Sequence, residues 1–392
     1  MRKFLAIIVS FSIFFNVFSP VQYIVTGGKT LVTFLATIML FLFCIRHFSS
    51  SIIKLLLYAL IACYMMISGN GYFENYIPTL VYMSFSVFCY DYYYYTRDEF
   101  FSKCTLYTLY VSLFLMIAIS IPQFYNTPGL VRLMNREDYD GMNTFYSYFI
   151  ISYSTIHELC IYIIPLFALY RNARGILKYL DLILIAMFFV LMLFSDSTTS
   201  LIIMTLSLLL FLIYNPQKPR SVNVRNLIVV AIFALVFLNK NVMVDILQFV
   251  QPLFDGTSTF RKIDEIILLL NDSGTSGDLE VRENLYDITF NSLKNNLFFP
   301  QYDANKISHH MALVDHLAAL GLFLFIPFVA VIFDRVKKPL KVLNDNNRYF
   351  FIFGVGVFCV MGCIKNFFLF CSAFCYVPMC LMLIGNKSNK IN

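Results

Sequence analysis

Residues 177–194 read LKYLDLILIAMFFVLMLF, and residues 198–214, only three positions on, read TTSLIIMTLSLLLFLIY. A helix rises 1.5 Å per residue, so roughly 20 apolar residues cross the ~30 Å hydrocarbon core of a bilayer. Two such runs joined by three residues read as a membrane hairpin. Working outward, the same pattern recurs from end to end, at 4–19, 30–45, 51–68, 76–95, 104–122, 144–170, 177–194, 198–214, 226–238, 310–333, 349–364 and 366–386. The shorter runs must recruit flanking residues or thin the bilayer. The run at 226–238 is the weakest and is read as continuing toward Val250. Of the 392 residues, 59% are hydrophobic and 13% charged, against about 25% charged in soluble domains. That balance excludes a soluble enzyme, a disordered chain and a nucleic-acid binder. The expectation is an all-α polytopic membrane protein of about 12 transmembrane helices.

Cytoplasmic loops retain Lys and Arg, which sets orientation. With the N-terminus inside, inner segments hold nineteen basic residues, from Arg2 to Lys390. The short outer loops hold Lys29, Arg132, Arg136 and Lys365 only. Both termini are therefore expected in the cytoplasm, and the net charge of +6 is largely topological. Residues 1–19 resemble a signal peptide in having Arg2-Lys3 before an apolar run. No small-residue cleavage site follows, so they are read as a first span.

This topology leaves one long outer segment, 239–309, of 71 residues with ten acids against six bases. It divides the chain into helices 1–9 (1–238), an extracytoplasmic loop (239–309) and helices 10–12 (310–392). Long loops are usually functional or disordered, and this one is patterned. Ile263, Ile266, Ile267 and Leu270 fall at helical spacing, and Val281, Leu285 and Ile288 predict a second amphipathic helix from near Leu279. Between them lies a flexible stretch, 271–278. The loop should fold as a small helical cap on the outer face.

The ten cysteines give no disulfide framework or zinc spacing, and no phosphate-binding or dinucleotide motif is present. No metal or cofactor is called for. Trp is absent, so the Tyr92–Tyr95 run is read as an interfacial belt. His309, His310, Asp315 and His316 cluster where the loop re-enters the membrane. In one continuous helix His310 and Asp315 lie about 140° apart, whereas a helix starting after His310 frees that imidazole to face the loop. Interfacial polar residues opening a span would give a plainer account. Three of five histidines within eight residues favour acid–base chemistry. Arg282 and Arg261 in the long loop, with Arg132 and Arg136 in the other outer loop, form a candidate anion clamp, since guanidinium matches phosphate oxygens in a fork. His157 and Glu158 lie mid-span, where ionisable groups are functional candidates or a buried pair holding the bundle. Lys54, Asp91 and Asp181 lie near inner ends and are read as snorkelling without a role.

Ser308-His309-His310-Met-Ala-Leu-Val-Asp315-His316-Leu-Ala-Ala-Leu-Gly321 resembles a segment of bacterial O-antigen and capsule repeat-unit polymerases and the related O-antigen ligases. His310, Asp315 and Gly321 match the family spacing. Upstream, Val281-Arg282-Glu-Asn-Leu-Tyr286 and Asn295-Asn-Leu-Phe-Phe-Pro300 resemble the family's loop pattern, an Arg on a helix followed by a segment that usually ends in glycine. The Ser-Arg pair that often opens a preceding span is here 195–200, SDSTTS, without Arg.

The resemblance implies a glycosyltransferase on the outer face of the bacterial cell membrane. It joins polyprenyl-diphosphate-linked oligosaccharide units into surface polysaccharide, either capsule or O-antigen. The implied partners are that lipid-linked glycan, the lipid bilayer, and a chain-length regulator and flippase of the same pathway. Proton removal falls to His310 or His309, oriented by Asp315, and Arg282, aided by Arg261, Arg132 or Arg136, faces the diphosphate. A flippase or other multi-span transporter is the alternative of different class, favoured by His157-Glu158. An asymmetric outer loop and the lack of internal repeats oppose it. A ligase-like polymer transferase is the nearer alternative.

Overall fold

The computed structural model describes residues 2–18, 28–45, 50–74, 76–127, 130, 151, 153–172, 175–195, 197–213, 240–256, 258–271, 278–343 and 345–365. Every regular element among these residues is helical. In chain order they are α1 (Arg2–Val17), α2 (Gly28–Cys44), α3 (Ser50–Ile67), α4 (Ile77–Thr96), α5 (Glu99–Asn126), α6 (Tyr153–Asn172), α7 (Ile176–Phe194), α8 (Thr198–Ile213), α9 (Lys240–Val250), α10 (Ser258–Leu270), α11 (Asp278–Asn295), α12 (Ala312–Leu340) and α13 (Asp345–Ile364). The apolar runs expected at 226–238 and 366–386 lie outside the described residues, as do Arg132 and Arg136.

Among the described residues, three helical stretches are long and apolar enough to cross a membrane: Glu99–Asn126, Ala312–Leu340 and Asn347–Ile364. The distribution of side chains agrees with an apolar solvent. Phe4, Ile7 and Phe11 on α1, Phe34, Leu35 and Leu42 on α2, and Ile53, Leu57 and Leu60 on α3 face outward, while Ser12, Thr33, Ser51, Ser112 and Ser120 are buried. In water that arrangement would be unfavourable; in lipid, polar groups must find partners inside the protein. Ser12 accordingly donates to Thr33 Oγ1 at 3.1 Å, and Asn16 Nδ2 reaches the same oxygen at 2.9 Å, tying α1 to α2.

α1 packs on α2 and α5, α2 on α4, and α3 on α12. α6 is surrounded by α7, α8 and α13, and α12 also packs on α13. The turn between α4 and α5 shows how tightly helices are ended. Arg97 adopts φ 52°, stopping α4, and Asp98 accepts the N–H groups of Phe100 and Phe101 at 3.0 and 3.1 Å, starting α5.

The long loop folds as two units rather than one cap. α9 and α10 form a hairpin with its own small core of Val244, Ile263 and Ile267. α11 packs separately on α12. Its position matches the expected second helix. Among its described side chains Leu285 is half-buried, Ile288 is exposed, and Thr289 and Ser292 are buried. Leu285, Thr289 and Ser292 fall on one face at helical spacing, so polar contacts to Asp315 and Gln301 share that face with part of the apolar stripe.

Asp91 is buried and ion-paired to Arg335 and Lys338 at 3.0 and 3.1 Å, and Lys54 pairs with Asp334 at 2.6 Å, so neither residue snorkels. Of the tyrosine run, Tyr92 and Tyr93 are buried in the core rather than interfacial.

Candidate functional site

The site is built around a break in α12. Gly321 has φ 67° and ψ 163°, which interrupts the helix one-third of the way along. An L residue cannot adopt that conformation without strain. The break accepts an extended segment from the loop: Leu322 N–H donates to Leu297 O at 2.9 Å, and Gln301 N–H donates to Ala318 O at 3.2 Å. The Phe298–Phe299 backbone passes so close that a Cβ on Gly321 would lie 2.5 Å from Phe299 C. Asn70, buried in the turn between α3 and α4, donates to Gln301 O at 2.9 Å and to Ala319 O at 3.4 Å. The segment 297–301 and Gly321, matched separately in sequence, are thus in direct contact.

The start of α12 is held by Asp315. Met311 is the N-cap residue and supplies no side-chain cap. Asp315, one turn inside, reaches back and accepts Met311 N–H at 2.8 Å, the arrangement of the returning arm of a capping box. Thr289 on α11 donates to Asp315 Oδ1 at 2.7 Å, and Ser308 donates to Oδ1 and Oδ2 at 2.8 and 3.1 Å. Ser308 Oγ also accepts His310 N–H at 3.2 Å, and Ser308 N–H donates to Thr289 Oγ1 at 2.8 Å. The helix therefore begins after His310, as that imidazole's access to the loop requires. Asp315 reaches His310 through Ser308 and the backbone instead of holding the ring directly. A buried carboxylate so fully engaged makes charge-assisted bonds and fixes the segment's course.

On this support His309 and His310 are exposed. His309 has φ 58°, and its ring stacks on Tyr72 with centroids 5.4 Å apart. Tyr72 lies in the short 3-10 turn Gly71–Phe73. Burial, with Tyr76 and the Asp315 carboxylate nearby, pushes its hydroxyl well above the usual value of 10, so it remains a neutral ring platform. His316 parts company with the other two histidines. It is buried beside Phe73, Tyr76 and Phe328 and shares a 2.8 Å hydrogen bond through Nε2 with Tyr58 OH, which meets Tyr76 OH at 2.7 Å.

The candidate cations divide as well. Arg282 lies in the second turn of α11, the helix that packs on α12; its side chain lies outside the described residues. Arg261 belongs to the separate α9–α10 hairpin, where its Nε is 4.0 Å from Glu265. Sequence reasoning passed over Lys365. Its carbonyl accepts Ala312 N–H at 3.0 Å, and the residue is buried, so it lies beside the first turn of α12. Tyr286 OH donates to Ile364 O at 3.2 Å, closing α11 onto the same end of α13. Lys365's place among the few outer basic residues was the available signal, and Ser308 stood at the head of the family-like segment; Thr289 carried none.

His157 and Glu158 form a different buried group. His157 Nδ1 and Ser200 Oγ are 2.6 Å apart, Ser197 donates to Ser200 Oγ at 3.0 Å, and Tyr162 donates to Glu158 Oε2 at 3.3 Å. This links α6 to the start of α8, in the stretch without arginine noted above. Comparison with known proteins finds no matching family model and no matching curated protein.

Proposed function

We propose that the chain is a polytopic membrane glycosyltransferase of about 12 spans, with both termini cytoplasmic. It extends polyprenyl-diphosphate-linked oligosaccharide units into surface polysaccharide on the outer face of a bacterial cell membrane. The observation that supports this best is the convergence at one end of α12. Asp315, Ser308 and Thr289 brace the chain, and the 297–301 segment seats in the Gly321 break. Two adjacent imidazoles are exposed on that frame.

In the proposed step an acceptor hydroxyl attacks the anomeric carbon of the donor. The new C–O bond forms as the bond to the diphosphate oxygen breaks, and the hydroxyl proton passes to His310 or His309. The electron pair leaves with the diphosphate, whose charge Arg282 and Lys365 would face, with Arg261, Arg132 and Arg136 as further candidates. A single displacement inverts the anomeric centre. Deleting the gene should collapse a long surface-glycan ladder to one lipid-linked repeat. His310→Ala or His309→Ala should reproduce that collapse while the protein accumulates normally. An unchanged ladder in the double variant His309→Ala/His310→Ala refutes the reading.

The buried His157–Ser200 and Glu158–Tyr162 contacts favour a second reading, a lipid-linked glycan flippase or transporter, because ionisable groups inside helices commonly mark transport paths. Under it, Glu158→Gln abolishes all outer-leaflet glycan instead of shortening it. A ligase-like polymer transferase would instead leave polymer length intact and abolish its transfer.

A further inference from the structure

The end of α12 remote from Ala312 carries a second, independent constellation. Arg335 donates from Nη1 to Asp91 Oδ1 at 3.0 Å, and Lys338 Nζ donates to the same oxygen at 3.1 Å and to Ser51 Oγ at 2.7 Å. Ser51 donates to Asp334 Oδ2 at 3.2 Å, and Lys54 Nζ meets Asp334 Oδ1 at 2.6 Å. Three helices, α3, α4 and α12, thus share one ionic cluster in which, among the described residues, the cations Lys54, Arg335 and Lys338 pair with the carboxylates of Asp91 and Asp334. Arg97 adds positive charge nearby, its guanidinium 5.0 Å from the Tyr94 ring that Lys338 also approaches at 5.6 Å.

The cluster has a closed and an open side. The Asp91 and Arg335 side chains are 1% and 3% exposed, whereas those of Lys338 and Lys54 are 17% and 34% exposed. An ammonium group has three donors. Among the described residues, Lys338 commits two of its donors and Lys54 one. Both ammonium groups thus keep donors beyond these bonds, on the two most exposed side chains of the cluster. Removing an unbalanced cation from water is costly unless an anion compensates it. A phosphodiester carries a negative charge that would offset the excess of described cations over described carboxylates.

We propose that this cluster is a binding site for a phosphate-bearing anion, which enters past Lys54 and Lys338 and closes the charge balance between α3, α4 and α12. A phospholipid headgroup and free phosphate share that chemistry. Compact lysine ammonium groups suit a ligand that arrives from the lipid–water boundary and is held as a point charge.

The test is thermal unfolding of the full chain in a neutral detergent, with added phosphatidylglycerol, phosphatidylcholine or inorganic phosphate. Phosphatidylglycerol should raise the midpoint by several degrees and phosphatidylcholine should not. Lys54→Met/Lys338→Met should lose that gain. Lys54→Met alone, which leaves the Lys338–Asp91 contact in place, should lose a large part of it and guards against a double variant that fails to fold. Lys337→Met, on an exposed side chain 5.9 Å from the Phe333 ring, should keep it. An equal gain from inorganic phosphate, lost in the same variants, assigns the site to the free anion. Equal response to both lipids with none to phosphate overturns the proposal. So does a gain undiminished in the lysine variants, or one lost as fully in Lys337→Met: the cluster is then only an ionic tie between helices.

Discussion

Replacing Gly321 with Ala distinguishes a broken α12 from a continuous one, because the two predict opposite signs. In a continuous helix Gly→Ala stabilises by about 0.5–1 kcal/mol. At φ 67° and ψ 163°, a backbone region reserved almost entirely for glycine, the substitution costs about 1–3 kcal/mol in strain. The added methyl would stand 2.5 Å from Phe299 C and 2.7 Å from the Phe298 and Phe299 carbonyl oxygens. These are backbone atoms, so no side chain can swing away, and relief requires the 297–301 segment to shift. Such overpacking adds about 1–3 kcal/mol. If the segment lifts, the Leu322–Leu297 and Gln301–Ala318 hydrogen bonds are lost at about 1 kcal/mol each. The expected destabilisation is therefore about 2–6 kcal/mol from strain and overpacking, rising toward about 8 kcal/mol if both hydrogen bonds are also lost. Denaturant titration of purified protein, followed by helical circular dichroism, measures it. Two glycines calibrate the result. Gly256 has φ 77° with nothing near its missing Cβ, and Gly356 lies in α13 with open space around it. Gly256→Ala should show only the backbone strain, about 1 kcal/mol, and Gly356→Ala should be neutral or stabilising. A Gly321→Ala protein as stable as the parent refutes the broken helix and the seating of the loop in it.

Asp315→Ala strands the Ser308 and Thr289 hydroxyls and Met311 N–H in a buried site and should cost about 3 kcal/mol, read in the same titration. Asp315→Asn, which keeps the shape and loses the charge, should cost clearly less. Asp91→Ala leaves Arg335 and Lys338 facing each other without their shared carboxylate, with an expected loss of about 3–5 kcal/mol; a change below 1 kcal/mol would mean that water already screens the cluster. Tyr72 supplies a pH prediction. Its hydroxyl is held well above 10 in the folded protein, so above pH 10 the unfolded chain loses that proton first and stability falls as pH rises. Tyr72→Phe should fold, keep the ring under His309, and show a smaller stability loss between pH 10 and 11; an identical alkaline profile would contradict the burial of that hydroxyl.

What sequence could and could not reveal follows from the range of the interactions concerned. The helices at 177–194 and 198–214 were legible because apolar length is a local property; α7 spans Ile176–Phe194 and α8 Thr198–Ile213. The apolar run of α12 is legible in the same way, but whether the helix includes His310 is not, because its start is set by Asp315 accepting Met311 N–H and by Ser308 and Thr289. Asp91 was misread because its partners stand 244 and 247 positions away, and an acid near a helix end looks alike whether it snorkels or pairs. The stripe Val281, Leu285, Ile288 predicts the helix α11 but not the polar contacts on its buried face, since Thr289 meets Asp315 across 26 positions. Gly321 was identified by motif spacing, yet its backbone conformation exists only because residues 297–301 dock against it.

These facts make α12 two helices with different obligations. The part before the break, 312–320, is nine residues long, too short to be held by helix propensity alone. Its position depends on the Asp315 bonds, the Gln301 and Asn70 contacts with Ala318 and Ala319, and the carbonyl of Lys365. The part after the break is anchored differently, by Asp334, Arg335 and Lys338 pairing with α3 and α4. Weakening the first set should displace His309 and His310 while the rest of α12 stays packed. Weakening the second should loosen the bundle and leave the imidazole frame intact until global unfolding. Hydrogen exchange on Asp315→Asn and Asp91→Asn separates the two: faster exchange confined to 308–320 in the first, and to the facing ends of α3, α4 and α12 in the second. Exchange that accelerates along all of α12 in both variants would mean the break transmits strain, and that the two ends form one cooperative unit.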